Sequence, residues 1–260
     1  HLVDVDRSSC ELTCRKGQLT LITDEGTRSL PVEDVSSVIV NGFDVRLHKE
    51  LLVQLGKAGA GLIICEMYKP VSILLPVNRS SDTLLTRKLA SMSDRLQSAL
   101  WQKLIDAKCS NQADLSEHLS PGSEPARLLS SFANSKREGK EAICAKYHWA
   151  AYRLATNETD FSRLRGKGRL NSFLDYGYAV LLNLVLQRLL AVGLDPQFGL
   201  GHATRERSAP LAYDVMEPFR PIVDFHLAYL VKQTGEVPQE IKAFKQTMME
   251  ALEKKYPYRG

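Results

Sequence analysis

Over the first 76 residues, short apolar runs alternate with turn residues. "LVDVD" (2–6), "CELTCR" (10–15), "QLTLIT" (18–23) and "SSVIV" (36–40) are β-rich, and "KG", "DEG" and "NG" punctuate them. One helix is predicted among them, because Leu47, Leu51, Leu52 and Leu55 in "LHKELLVQLGKAGA" fall at helical spacing. Strand runs return in "GLIICE" and "VSILLPV", and "NRSSDT" (78–83) ends the pattern. Beyond it the period is helical. Leu85, Leu89, Met92, Leu96, Leu100 and Leu104 step by three or four residues, which predicts one long helix with a single buried stripe. "LSPGSEP" predicts a loop, and further helices are predicted to start near 125, 136, 171, 209 and 238. The expected fold class is therefore α+β. A small β-rich N-terminal domain (1–77) joins through a short linker (78–83) to a larger all-α domain (84–260) that carries the chemistry.

Composition adds little to this picture. Apolar residues make up 44% and charged residues 25%, as in an ordinary soluble globular protein. The placement of charge says more than the net +4. Between Lys136 and Arg207 there are twelve Lys/Arg against seven Asp/Glu, so the basic excess lies in one stretch of the helical region. The five cysteines are odd in number and lack a framework spacing, which argues for reduced thiols, a cytoplasmic location, and no zinc site. "AVLLNLVLQRLLAVGL" is interrupted by Asn183, Gln187 and Arg188, so it reads as a buried helix, and no membrane association is expected.

Candidate chemistry sits in three segments. In "PLAYDVMEPFRPIVD" (210–224), Asp214 and Glu217 are three residues apart and share a helix face, while Pro218 and Pro221 kink or restart the helix. Two like charges there need a cation, and Arg220 as a structural ion-pair partner is one answer. Asp224 is a further candidate partner for Arg220. In "GLDPQFGLGH" a glycine-punctuated turn ends at His202, twelve residues before Asp214. In "NSKREGKEAICAKYHWAAYR" (134–153), Glu141 lies beside a face of Ala142, Ala145 and Trp149, either solvated and bonded along the helix or turned to a partner. A Glu, a His and one or two further acids on neighbouring helices make a hard oxygen and nitrogen site suited to Mg²⁺ or Mn²⁺.

Together these segments resemble the CRISPR-associated protein one family, the integrase that inserts new spacers into CRISPR arrays. The resemblance is carried by "ExxxAxxxW" from Glu141, "LNSFLDYGYAVLLN" (170–183), "GLDPQFGLGH" (193–202) and "PLAYDVMEPFRPIVD", in the family's order. It implies that Glu141, His202 and Asp214 are the catalytic metal ligands, with Glu217 a nearby supporting acid. In the first motif "YHW" departs from the family's tyrosine and aromatic. Aligning on Trp149 selects Glu141 and puts His148 in the tyrosine place. Aligning on Tyr147 would select Lys140, which cannot ligate a metal, and Glu138 is the remaining competitor.

The resemblance further implies a homodimer that works with DNA, both prespacer and CRISPR repeat, and with the small ferredoxin-like second CRISPR adaptation protein. Some members are fused to a reverse transcriptase, and a chain starting at His1 is compatible with the integrase portion of such a fusion. The implied reaction is attack of a DNA 3′-OH on a phosphodiester at the repeat boundary. A general nuclease for branched DNA and a non-catalytic DNA-binding scaffold are the alternatives. "RLRGKGRL" places Arg163, Arg165, Lys167 and Arg169 around two glycines; Lys136, Arg137 and Lys140 precede the Glu141 helix, and Arg205 and Arg207 follow His202. Six phosphate contacts from this set would weaken binding by about 10³ between 50 and 200 mM salt. "GKAGAG" (56–61) lacks the GK[ST] of a phosphate loop. Asn171 is expected to cap a helix from Ser172, and Tyr176 and Tyr178 to pack a seam around Gly177.

Overall fold

The computed structural model describes residues 1–6, 9–35, 37–66, 69–74, 76, 83–163, 168–201, 209–238, 244 and 247–248. The described chain divides into two units. The first comprises 1–91 with 183–198 and 203–210; the second comprises 92–182, 199–202 and 211–260.

The first unit contains two four-stranded sheets. One runs β1 (Leu2–Val5), β5 (Ser37–Val40), β7 (Gly61–Glu66) and β8 (Lys69–Leu74). The other runs β4 (Gly26–Pro31), β3 (Gln18–Thr23), β2 (Ser9–Arg15) and β6 (Asp44–Leu47). The "KG" turn closes the β2–β3 hairpin with Arg15 opposite Gln18. Lys16 and Gly17 both have positive φ (51° and 74°), the twist that a two-residue hairpin requires. Alternation on β2 sends Cys10, Leu12 and Cys14 into a core shared with Leu19, Val38, Leu62 and the Leu51 and Leu55 face of α1 (Lys49–Ala58). "GKAGAG" is the end of that helix, with Gly59 in the left-handed region as its C-cap.

The stripe from Leu85 to Leu104 is two helices rather than one. α2 (Thr83–Ala90) stops before Ser93, whose hydroxyl caps α3 (Asp94–Leu119) by accepting the N–H of Leu96. The capping serine overrides a period that would otherwise run on, and it leaves Leu96 half exposed.

In the second unit α3 packs against α4 (Glu124–Ala133) and α5 (Lys140–Thr156) around Ile105, Cys109, Leu129 and Cys144. α6 (Arg169–Ala191) is the one described helix long and apolar enough to cross a membrane, and 72% of its apolar window is buried within the fold. It starts before Asn171, which is therefore a fully buried helical residue and not its cap; its side chain accepts from Arg163 and donates to the Ser162 carbonyl. A Cβ on Gly177 would lie 2.4 Å from Val223, so the α6 seam closes only on glycine. α7 (Pro210–Met216) tightens into a 3-10 turn (Glu217–Phe219) before α8 (Arg220–Thr234). Pro218 has no N–H to continue α7 and Pro221 sits in the first turn of α8, so the chain breaks at Glu217.

Candidate metal centre

Glu141 stands in the first turn of α5, where the helix dipole favours an anion, with its side chain part-exposed. Its Oε1 is 2.6 Å from the Nζ of Lys108 on α3. The same ammonium is 2.6 Å from Oε2 of Glu217 in the 3-10 turn. Two carboxylates from separate elements thus converge on one cation. Arg220 holds the other oxygen of Glu217 at 2.9 Å, and Asn111, one turn beyond Lys108, donates to the Pro218 carbonyl at 2.8 Å. Burial opposes ionisation of Glu217, but the charges of Arg220 and Lys108 and their hydrogen bonds outweigh it and hold the carboxyl below its ordinary range.

Asp214 does not join this pair. It is completely buried on α7, and its Oδ2 accepts the backbone N–H of Gly201 at 3.0 Å and that of Leu200. Gln97 holds the same segment from its other side, donating to the carbonyls of Gly199 (3.2 Å) and Leu200 (3.0 Å). Gly201 lies against the Trp101 indole so closely that a Cβ would sit 2.4 Å from the ring. The chain is therefore clamped one residue before His202, which itself lies outside the described residues. Asp214 and Glu217, read as neighbours on one helix face, serve different partners because the helix ends between them. Among the described residues no group of three His, Cys, Asp or Glu converges tightly enough to hold a metal. The described pair that fits one is Glu141 with Glu217, and a hard, oxygen-bound divalent ion matches two carboxylates already gathered around a positive charge.

Lys108 is the residue that sequence reasoning missed. On α3 the buried positions Ile105, Cys109, Gln112, Ala113 and Ser116 bracket it, and it is only 8% exposed and needs an anion, a burial that the fold and not the apolar period decides. Cys109 and Cys144 are both fully buried beside this site; burial pushes the Cys109 thiol up to about 12 and raises that of Cys144, so both stay neutral at pH 7.

A second buried network supports the same turn from behind. His148, in the motif position of a tyrosine, is fully buried, with Nδ1 3.0 Å from the Ser116 hydroxyl and Nε2 3.0 Å from the Asp224 carboxylate. Tyr178 donates to the other oxygen of Asp224, and the Arg220 guanidinium lies over the Tyr178 ring at 4.2 Å. Asp224 is thus bonded to His148 and Tyr178; Arg220 hydrogen-bonds Glu217, and the expected pairing with Asp224 is present as charge attraction. Burial, then the Asp224 charge, raise the Tyr178 phenol well above its ordinary value, so it remains a donor.

A family model described as CRISPR associated protein Cas1 matches residues 3–249. The chain belongs to the Cas1 family. It is 28% identical over 246 residues to the CRISPR-associated endonuclease Cas1 of Neisseria meningitidis serogroup C (strain 8013), covering 93% of this chain and 80% of that one. A Cas1 protein from Thermotoga maritima has the same fold, with a TM-score of 0.76 at 20% identity over 97% of this chain and 89% of that one. A casposase bound to integration product matches with a TM-score of 0.76 at 22% identity, over 100% and 84%.

The basic residues sort by burial. Lys136 and Arg137, like Glu138, are exposed ahead of α5, and Arg169 is exposed at the start of α6. Lys140 was expected at phosphates but is buried, its ammonium held by Asp106 and, at 3.3 Å, by the Ala133 carbonyl. Arg163 was expected there too, but it reaches Asn171 at 2.7 Å and Asp175, and so pins the start of α6. Arg165, Lys167, Arg205 and Arg207 lie outside the described residues.

Proposed function

We propose that the protein is a metal-dependent DNA integrase and endonuclease that inserts new spacer DNA into CRISPR arrays. The observation that carries this reading is the convergence of Glu141 and Glu217 on a single cation at the broken end of α7. Glu141 and Glu217 would hold Mg²⁺ or Mn²⁺ together with His202. Asp214 then acts through the Leu200 and Gly201 amides, as an anchor for the chain immediately before His202. When bound, the ion supplies Lewis acidity that lowers the pKa of a hydroxyl and takes up charge on a phosphate oxygen.

The chain's own residues do the positioning. Arg220 fixes one oxygen of Glu217 and leaves the other facing Lys108 and Glu141. Gln97 and Trp101 hold the 199–201 segment. In the reaction the 3′-oxygen of the incoming strand forms a bond to phosphorus at the repeat boundary. The bond to the 3′-oxygen of the repeat strand breaks, and that oxygen takes a proton. With water in place of the 3′-OH the same site nicks or resolves branched DNA. Lys136, Arg137 and Arg169, which are exposed, are proposed to meet DNA phosphates.

The proposed assembly is a homodimer with the small second adaptation protein. One chain of a complex described as Cas6-RT-Cas1--Cas2 is similar in fold to this chain (TM-score 0.74, 13% identity, over 97% of this chain and 32% of that one), and the name of that complex favours such partners and a reverse-transcriptase association. Five free, buried thiols suit the reducing cytoplasm as the place of action.

Integration of a labelled prespacer into a repeat, in Mn²⁺ or Mg²⁺ with the partner protein present, tests the reading. Glu141→Ala, His202→Ala and Glu217→Ala are expected to abolish strand joining while circular dichroism stays unchanged. Wild-type joining by all three would remove the proposed metal site; DNA binding by the wild type with neither joining nor cleavage would leave only a scaffold, and cleavage of branched DNA without joining would leave a general nuclease.

A further inference from the structure

We propose that Lys108 is a resident counter-cation that competes with the divalent ion for Glu141 and Glu217. The inference rests on the metal-site reading above and adds a residue that sets the affinity of that site. Lys108 places its ammonium 2.6 Å from an oxygen of each acid, in the position a bridging cation would take. The residue is nearly buried, and α3 carries the buried Ile105 and Cys109 on either side of it. Withdrawing the ammonium into water therefore requires a change in a packed helix, and the two ion pairs cannot be given up without cost.

Charge accounting makes the competition explicit. Glu141 and Glu217 bring two negative charges and Lys108 and Arg220 two positive, so these four side chains are neutral together. An arriving divalent ion must take at least one carboxylate from Lys108, and it leaves the cluster with two surplus positive charges. The built-in ammonium keeps the acids gathered before metal arrives, and its contacts oppose metal uptake. The consequence is a preformed site of deliberately weak affinity, in which a nearby anion such as a DNA phosphate helps to retain the metal.

The test is Mn²⁺ binding to the full chain by titration calorimetry and electron paramagnetic resonance, alongside melting with and without Mn²⁺. The wild type, Lys108→Met, Lys108→Gln and Glu141→Gln are compared. The expected result is Mn²⁺ affinity about tenfold tighter in Lys108→Met, because the uncompensated carboxylates now gain a partner on binding. The metal-free melting temperature falls, and the rise on adding Mn²⁺ exceeds that of the wild type. Lys108→Gln, which keeps polarity without charge, shows the same tightening if the Met variant does not fold. Equal or weaker Mn²⁺ binding in the folded Lys108 variants overturns the inference while leaving the metal site standing, provided Glu141→Gln has lost binding. Wild-type Mn²⁺ affinity in Glu141→Gln removes the metal site itself, and the inference with it.

Discussion

Asp214 accepts the backbone N–H of Gly201 at 3.0 Å, and so a fully buried acid on α7 fixes the residue immediately before His202. An anchor needs an acceptor oxygen, whereas a metal ligand needs a charge. Asp214→Asn is therefore expected to keep Mn²⁺ binding within a few-fold of wild type, and Asp214→Ala to lose considerably more. Glu217→Gln should bind as poorly as Glu141→Gln. Calorimetric titration checks the series, and loss of binding in Asp214→Asn equal to that in Glu141→Gln would return Asp214 to the ligand set.

Gly201 touches the Trp101 indole where any side chain would collide. Gly201→Ala is expected to cost about 1–3 kcal/mol by overpacking. It should also lower integration activity more than stability, because the strain falls on the segment leading to His202. Adding Trp101→Leu makes room and should restore much of both. Denaturant melts and strand-joining rates on the single and double variants decide it.

Glu217 couples the site to acid stability. Its folded pKa lies below the unfolded value near 4.5, so its ion pairs contribute fully above that pH and are lost as pH falls through the lower folded value. In a chelator, the wild type is expected to lose stability over this acid window. Glu217→Gln should show a flatter profile there and a lower plateau at neutral pH. Thermal melts from pH 7 to pH 2 supply the comparison, and identical acid limbs would contradict it.

Tyr178 donates to Asp224, and Arg220 stacks on its ring. Tyr178→Phe leaves a buried carboxylate oxygen short of a donor, and is expected to cost about 1–3 kcal/mol. Because Arg220 also holds Glu217, integration should fall as well, with the Mn²⁺ requirement shifted to higher concentration. Paired denaturation and metal titrations test both effects.

The exposed and inward cations should behave differently with DNA. Removing Lys136 or Arg137 is expected to reduce the slope of log affinity against log salt by about 0.9 for each lost phosphate contact. Lys140→Ala and Arg163→Ala should leave that slope unchanged and lower the melting temperature, since these residues pin α5 and α6 from inside. Anisotropy titrations across salt, with melts beside them, separate the two classes.

The sequence by itself determined the order of the architecture, with strands first and helices after, because periods of two and of three to four are local properties of the chain. It also determined the break at Glu217, since Pro218 and Pro221 act on their own backbone. The start of α5 is different: a helix expected near 136 begins at Lys140, after Gly139 with positive φ, and only that puts Glu141 in a first turn. The tertiary structure alone decided which acids meet. Asp214 and Glu217 are three residues apart, and Lys108 is 33 residues from Glu141, yet Glu217 joins Glu141 on Lys108 while Asp214 turns to the Gly201 amide. Packing likewise turns Lys140 to Asp106 and Arg163 to Asn171, although both lie in basic stretches of the chain. Helical spacing tells which residues share a face, but only packing tells what that face meets. The partner of a buried charge is a neighbour in space, and no local pattern encodes it.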